Sequence, residues 1–239
     1  MSDLLVCFHG SPGLPDEFEG LAESLPGVEV RAVVRYGYPS FRQYPRQGDL
    51  DERCIVVGYS FGCVAALKAA AYRPKNVEAA ILIAPYLFVE RPLGALKRAL
   101  LATPGISTLL LRSAGPKAIA EMLTKSSHPQ PVPADYQRVS DRLSRPEVLH
   151  RSMVEKDHHD TPTDANLRQL RINEVPIVAI WGAEDQTSSE AAQIEPIRPY
   201  LTEEHRLEAA GHALVWTHVP AIAAIVKGFI ETNGTGAAT

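Results

Sequence analysis

Short apolar runs along the chain predict six β-strands. They occupy residues 4–8, 28–34, 54–57, 79–84, 176–181 and, with a weaker pattern, 206–209. A continuous apolar run of this length, ended by glycine or proline, is typical of a strand buried on both faces. Apolar residues at helical spacing predict helices at 16–25, 63–72 and 220–231. Because strands alternate with helices at both ends of the chain, the sequence predicts an α/β fold with a parallel sheet and helices on both faces.

The middle of the chain has a different pattern. Between Pro85 and about Arg171 there is no convincing strand, whereas segments such as 93–101 and 116–124 have helical spacing. We therefore predict a core formed by residues 1–85 and 172–232, interrupted by a helical lid or cap at 86–171. The small, polar residues 233–239 are expected to fray as a flexible tail.

Composition narrows the class of protein. The chain has 239 residues, 45% of them hydrophobic and 22% charged, as expected for one globular α/β domain. A net charge of −4 does not favour nucleic acid or an anionic membrane as a partner. No apolar run approaches a membrane span, and the first is too short for a signal peptide. With three sparse cysteines that fit reduced thiols, we expect a cytoplasmic protein.

The strongest motif is Gly58-Tyr59-Ser60-Phe61-Gly62, which lies between a predicted strand and a predicted helix. That context is required of a nucleophile elbow, a sharp turn that holds a serine in a strained backbone conformation. The glycines leave room for the neighbouring strand and helix. An ordinary glycine-containing turn is the alternative. If the motif is a nucleophile elbow, Ser60 is a catalytic nucleophile.

A serine hydroxyl needs a base to accept its proton, and the base needs an orienting carboxylate. After an elbow of this kind the acid precedes the histidine along the chain. The fifth strand ends in Gly182-Ala183-Glu184-Asp185, at the sheet edge where such sites form. We predict Asp185 as the acid, with a solvated acidic turn as the alternative. The preceding strand ends in Ala84-Pro85-Tyr86, which offers no carboxylate.

The predicted base is His212. It follows Gly211 in the loop after the last strand, and it comes after the acid as the order requires. His205 is expected to precede that strand, at the wrong edge of the sheet, and His218 lies too far along the chain. A structural or solvated histidine is the alternative for His212.

Acyl transfer also needs two N–H groups that bind the developing oxyanion. One is expected from Phe61, the residue after the nucleophile, and the other from the loop after the first strand. In that loop, residues 9–13, Pro12 cannot donate, so Ser11 is the predicted second donor. His9 is expected to hold the loop by hydrogen bonds. A plain strand-to-helix turn is the alternative.

The ordered motifs HGSPG (9–13), GYSFG (58–62), WGAED (181–185) and AGH (210–212) resemble the α/β-hydrolase superfamily. The resemblance covers residues 1–86 and 172–231, and the middle corresponds to the variable lid of these enzymes. It implies the triad Ser60–Asp185–His212 with the amides of Ser11 and Phe61 as oxyanion donors. It also implies an α/β-hydrolase fold with a mostly parallel sheet of about six strands and a helical lid insertion.

The chain departs from the family pattern in several places, one of which is Pro220, about one residue later after the histidine than is usual. The two leading strands are absent, a feature shared with thioesterases of this superfamily. Segment 35–52 contains no convincing helix where relatives usually have one. Cys63 replaces the frequent second glycine after the elbow, and we expect it to be a packing residue and not a second nucleophile.

Other residues have two interpretations. Residues 109–111, Met122, Leu123 and Tyr136 could line an acyl pocket, but a core within the lid is favoured. Tyr86 and Trp216 are close in sequence to site residues and are candidates for lining the substrate pocket. Residues 157–160 have metal-ligand side chains, but a solvated loop is favoured because no third ligand stands at a recognised spacing.

The resemblance implies a serine hydrolase that cleaves a carboxylic ester or thioester through an acyl-enzyme, with no metal or organic cofactor. The expected substrate is a small acyl compound, free or carrier-bound as a thioester, and the oligomeric state is left open. Carbon–carbon bond hydrolysis, perhydrolysis and a non-catalytic ligand receptor remain alternatives. Dehalogenases and epoxide hydrolases are disfavoured because they normally carry Asp at the position of Ser60.

Overall fold

A six-stranded sheet lies at the centre of the computed structural model, which describes residues 4–34, 50–72, 75–90, 94–103, 105–158 and 164–234. Its strands are β1 (Leu4–Phe8), β2 (Glu29–Val33), β3 (Cys54–Tyr59), β4 (Val77–Ile83), β5 (Ile177–Gly182) and β6 (Glu203–Leu207). Every neighbouring pair is parallel, and the order is β2-β1-β3-β4-β5-β6. The predicted parallel α/β fold is therefore confirmed. Most of segment 35–52, residues 159 and 160 and tail residues 235–239 lie outside the described residues.

The sheet has a core on each face because successive residues of a strand point to opposite sides. The helices of the sheet core are α1 (Glu19–Ser24), α2 (Gly62–Tyr72), α8 (Asp164–Ile172) and α11 (Val219–Gly234). Val6 and Phe8 of β1 pack in the cluster that contains residues of α2 and α8. Leu5 and Cys7 pack on the other face, with α1 and α11. Helices thus cover both faces, as predicted.

The last strand differs from its prediction. The apolar residues near 206–209 placed it too late, and β6 covers Glu203–Leu207 with alternating half-buried and exposed residues. It is an edge strand that pairs only with β5, so it does not need a continuous apolar run. His205 consequently lies inside the strand and not before it, and its Nε2 is 3.1 Å from Glu203 Oε2.

Between β4 and β5 the described residues form helices and no strand. We call α3–α7 the helical segment: α3 (Ala95–Ala102), α4 (Ile106–Ser127), α5 (Ala134–Arg138), α6 (Ser140–Leu143) and α7 (Pro146–His158). The predicted helix at 116–124 is part of the longer α4, which continues through Pro116. One face of α4 is buried on both sides of the proline, at positions four residues apart: Ser107, Leu111, Gly115, Ile119 and Leu123.

The helical segment has a core of its own. Leu111, Leu123 and Tyr136 pack there with Ile119, and Met122 lies against them. Leu109 and Leu110 were also predicted to belong to this core, but they are 71% and 45% exposed. None of the helices in the described ranges combines the length and hydropathy needed to cross a membrane. The short helices α9 (Glu190–Gln193) and α10 (Leu214–Thr217) follow β5 and β6.

Candidate active site

The turn between β3 and α2 holds Ser60 in a strained conformation. Its φ of 52° lies in the left-handed region, which non-glycine residues rarely adopt. The turn is closed by hydrogen bonds from Ser60 N to Ile83 O (2.9 Å) and from Cys63 N to Ser60 O (3.1 Å). A Cβ on Gly62 would overlap the carbonyl oxygen of Phe8, and one on Gly58 would overlap the backbone of Cys63. Both glycines are therefore required by close approach.

Three residues distant in sequence meet at the carboxyl-terminal edge of the sheet. His212 Nε2 lies 2.8 Å from Ser60 Oγ. Its other ring nitrogen, Nδ1, lies 2.6 Å from Asp185 Oδ2. The side chains of His212 and Asp185 are 5% and 8% exposed, so this row of hydrogen bonds is shielded from water. The predicted Ser60, Asp185 and His212 are therefore brought together in hydrogen-bonded order.

The Asp185 carboxylate is surrounded by donors. Its Oδ1 accepts from Thr187 N (2.7 Å) and Ser188 N (3.0 Å), and its Oδ2 accepts from Ser188 Oγ (2.9 Å). Burial raises the pKa of Asp185, but His212 and these N–H donors outweigh it and hold the pKa below its ordinary value. The carboxylate is thus ionised at neutral pH and positioned to accept a hydrogen bond from His212 Nδ1.

Ser188 was not predicted. Its hydroxyl donates to Asp185 Oδ2 and also lies 3.4 Å from His212 Nδ1. Asp side chains often accept N–H bonds from the residues two and three positions later. The sequence Asp185-Gln186-Thr187-Ser188 therefore carried a signal for this turn, although not for the contact with His212.

The alternative acids and bases do not reach the site. Glu184 is half-exposed and its Oε2 lies 3.6 Å from His128 Nε2. His218 Nδ1 lies 2.8 Å from Thr217 Oγ1, and burial lowers the pKa of His218. Among the candidates considered from sequence, Asp185 and His212 are the pair that the structure joins to Ser60.

The loop after β1 lies against the start of α2, as the contact of Gly62 with the carbonyls of Phe8 and His9 requires. Ser11, the predicted second oxyanion donor, is in this loop and 7% exposed. Its hydroxyl donates to Ser152 Oγ (3.0 Å) on α7. His9 Nδ1 lies 2.9 Å from Gly10 O, the kind of loop contact expected of it.

Two further residues of this loop region were missed. Glu17, in the 3₁₀ turn Pro15–Phe18, binds the amides of Gly10 and Leu14. Ser152 bonds Ser11 across 141 positions of sequence. No pattern in the sequence indicated the Ser152 contact. The order of a glycine-rich loop followed by an acid gave a weak signal for Glu17.

Tyr86 and Trp216 occupy different surroundings. Tyr86 is half-buried, and its N–H donates to Ser60 O (3.2 Å), which places it next to Ser60. Trp216 stacks on Tyr136, with ring centroids 4.9 Å apart and an interplanar angle of 11°. Its Nε1 is buried without a hydrogen-bond partner in the described part of the chain. Both remain candidates for lining the pocket.

A side-chain clamp joins the loop that carries Tyr86 to the loop that carries Asp185. Gln193, 1% exposed, accepts from Leu87 N (2.6 Å) and Phe88 N (3.0 Å). Glu90 accepts from Gln193 Nε2 (2.9 Å) and Ser189 N (3.0 Å). A small cavity of about 60 Å³ lies beside the clamp and is lined by Pro85, Trp181, Asp185, Ser188 and Gln193.

The remaining candidates concern cysteines and metals. Cys63 is fully buried, and its thiol donates to Gly58 O (3.2 Å), in keeping with a packing role. Across the described ranges no group of three or more His, Cys, Asp or Glu side chains could hold a metal ion. Of the segment 157–160, residues 157 and 158 end α7 and the others lie outside the described residues.

The parallel strand order and the strained serine after the third strand are those of an α/β hydrolase. The alpha/beta hydrolase family model matches residues 5–225, and the chain belongs to that family. No curated protein sequence matches the chain.

Solved structures resemble the chain along nearly its whole length. The carboxylesterase CesB (YbfK) of Bacillus subtilis has a TM-score of 0.70 at 15% identity, covering 96% of this chain and 84% of its own. A carboxylesterase of the thaumarchaeon Nitrososphaera gargenis has a TM-score of 0.64 at 16% sequence identity, and the match covers 98% of this chain and 92% of the other. The haloalkane dehalogenase DbeA of Bradyrhizobium elkani has a TM-score of 0.65 at 18% sequence identity, and the match covers 99% of this chain and 92% of the other. At these identities the likeness is one of fold.

Proposed function

We propose that this hydrolase cleaves a carboxylic ester or thioester through an acyl-enzyme formed on Ser60. The supporting observation is the position of the His212 ring, which lies within hydrogen-bond distance of Ser60 Oγ on one side (2.8 Å) and of Asp185 Oδ2 on the other (2.6 Å). A base oriented by a buried carboxylate is what a serine hydroxyl needs to act as a nucleophile at neutral pH.

In the proposed first half-reaction Ser60 Oγ attacks the substrate carbonyl carbon, and its proton passes to His212 Nε2. Asp185 accepts a hydrogen bond from Nδ1 and stabilises the imidazolium that forms. His212 then returns the proton to the leaving alcohol or thiol. In the second half-reaction His212 takes a proton from water, whose oxygen attacks the acyl carbon. The bond from Ser60 Oγ to the acyl carbon then breaks, His212 returns the proton to Oγ, and the carboxylic acid is released. No metal or organic cofactor takes part.

The amides of Ser11 and Phe61 are the proposed oxyanion donors. Each such donor is commonly worth about 3–4 kcal/mol of transition-state stabilisation. The contact between the Gly62 position and the end of β1 supports this pairing, because it holds the two donor segments side by side. Tyr86 and Trp216 are proposed to line the acyl pocket.

Ser60 also supports acyl transfer over dehalogenation, although a haloalkane dehalogenase shares the fold. Attack of a serine oxygen on an alkyl halide would form an ether, which water does not cleave. Attack on an ester or thioester forms a new ester, which the same His212 can hydrolyse with water. The proposed substrate is therefore a small acyl ester or an acyl thioester, free or on a carrier, and the proposed compartment is the cytoplasm.

A fluorophosphonate probe tests the proposal directly, because it forms a stable adduct with an activated serine. We expect an adduct at Ser60 in the wild-type protein and none in Ser60→Ala. A series of p-nitrophenyl esters and acyl thioesters of increasing chain length would then identify the acyl group and the leaving group. A folded protein that never labels would overturn the proposal and favour a non-catalytic ligand receptor.

A further inference from the structure

The carboxylate of Glu17 is buried inside the loop that follows β1. Glu17 is 3% exposed, and its two oxygens accept different main-chain N–H groups. Oε2 accepts from Gly10 N at 2.7 Å, and Oε1 accepts from Leu14 N at 3.3 Å. A buried carboxylate is costly unless it is hydrogen-bonded. Here its bonds connect two points of the loop on either side of Ser11.

These bonds decide which amide of the loop is available to a ligand. Gly10 N and Leu14 N are occupied by Glu17, and Pro12 has no N–H. Ser11 N makes no hydrogen bond to any residue that the structure describes. Its side chain is held separately, because Ser11 Oγ donates to Ser152. Among Gly10, Ser11, Pro12 and Leu14, Ser11 is therefore the one whose N–H is left to bind a ligand.

Glu17 also lies close to the residue that precedes the nucleophile. A Cβ built on Gly10 would be 3.5 Å from Glu17 Oε2 and 3.4 Å from the ring of Tyr59. Gly10 is thus enclosed between the Glu17 carboxylate and the Tyr59 ring, and Tyr59 is joined directly to Ser60. A shift of the carboxylate would displace the loop relative to the nucleophile.

We propose that Glu17 is a positioning residue for the oxyanion: by binding the amides of Gly10 and Leu14, it aims the Ser11 N–H at the oxygen of a carbonyl bound to Ser60. This inference rests on the proposed function. Glu17 itself touches neither substrate nor reacting atoms. Glutamate suits the role because it offers an acceptor to each amide at once, whereas glutamine would turn its NH₂ group towards one of the two N–H donors.

The test compares Glu17→Gln and Glu17→Ala with wild type on a p-nitrophenyl ester. Loss of an entire oxyanion donor costs about 10²–10³ in kcat, so a misaimed donor should cost about tenfold in Glu17→Gln and about a hundredfold in Glu17→Ala. KM should stay within about twofold, because the donor acts mainly in the transition state.

A second readout isolates the oxyanion. An alkyl trifluoromethyl ketone forms a hemiketal: Ser60 Oγ bonds to the carbonyl carbon, the carbonyl oxygen becomes the oxyanion and the serine proton moves to His212. We expect the inhibition constant of this ketone to rise by about the same factor as kcat falls in each variant, because both depend on the oxyanion donors. If Glu17 had a purely structural role, its substitution would lower the melting temperature, but the inhibition constant would not rise in proportion to the fall in kcat.

Glu19→Gln is the matched control, since Glu19 is exposed on α1 and loses the same charge two positions away. It should behave as wild type. A folded Glu17→Gln protein with unchanged kcat and ketone affinity would overturn the inference even if Glu17→Ala fails to fold. Labelling by fluorophosphonate separates the two proposals. A wild-type protein that is not labelled refutes the hydrolytic function. A wild-type protein that is labelled, together with a Glu17→Gln variant of unchanged kcat and ketone affinity, refutes only the positioning role.

Discussion

Gly211, the residue before His212, packs directly on the carbonyl oxygen of His128 at the end of α4. A Cβ at Gly211 would overlap that oxygen and also lie 2.8 Å from Ser126 O. The same junction contains a hydrogen bond from Ala213 N to Ser126 O (2.8 Å). The loop that carries His212 is therefore shaped by the helical segment as well as by the sheet.

Gly211→Ala should displace the His212 loop. We expect kcat to fall by at least about tenfold, because small misplacements of a catalytic group are costly. The melting temperature should fall by several degrees, since overpacking costs about 1–3 kcal/mol. Gly228→Ala is the control, because a Cβ at that position in α11 meets nothing within 4 Å. Thermal unfolding and ester kinetics on both variants check this, and a fully active Gly211→Ala enzyme would contradict it.

The sequence predicted well the elements that follow from local patterns, and it predicted poorly the contacts between residues distant in the chain. Strand β1 begins and ends at the predicted residues, because a buried strand between polar segments is a local pattern. Strand β6 was misplaced because an edge strand can carry charged residues. The Ser11–Ser152 bond spans 141 positions and depends on how α7 packs, which no local pattern records.

Asp185→Asn should lower kcat by about 10³–10⁴-fold if Asp185 orients His212. Ser188→Ala removes one donor to the carboxylate and should lower kcat by about threefold to tenfold. Ser113→Ala, at an exposed position of α4, is the control for loss of a serine hydroxyl. Kinetics on a single ester suffice. Near-normal turnover in Asp185→Asn would show that another carboxylate serves the histidine.

The lowered pKa of Asp185 also predicts a pH dependence of stability. A carboxylate whose pKa is lower in the folded than in the unfolded state stabilises the fold above its unfolded pKa of about 3.9, and this is lost as pH falls through the folded pKa. The difference in free energy of unfolding between wild type and Asp185→Asn should therefore be smaller at about pH 3 than at neutral pH. Urea unfolding across this range measures it, and a pH-independent difference would refute it.

The core of the helical segment can be probed with two leucines. Leu123 is fully buried, and Leu109 is 71% exposed. Leu123→Ala should lower the free energy of unfolding by about 2–5 kcal/mol. Leu109→Ala should change it by less than about 0.5 kcal/mol. Chemical denaturation distinguishes the two, and equal effects would show that Leu109 is covered in solution.

The Ser11–Ser152 bond constrains how this enzyme can be redesigned. Grafting the helices of a different α/β hydrolase between β4 and β5 is an obvious way to alter substrate choice, because those helices are built around their own apolar cluster. The graft would also remove the hydroxyl that anchors Ser11. A chimera that keeps a serine at the position of Ser152 should retain turnover that an otherwise identical chimera without it loses.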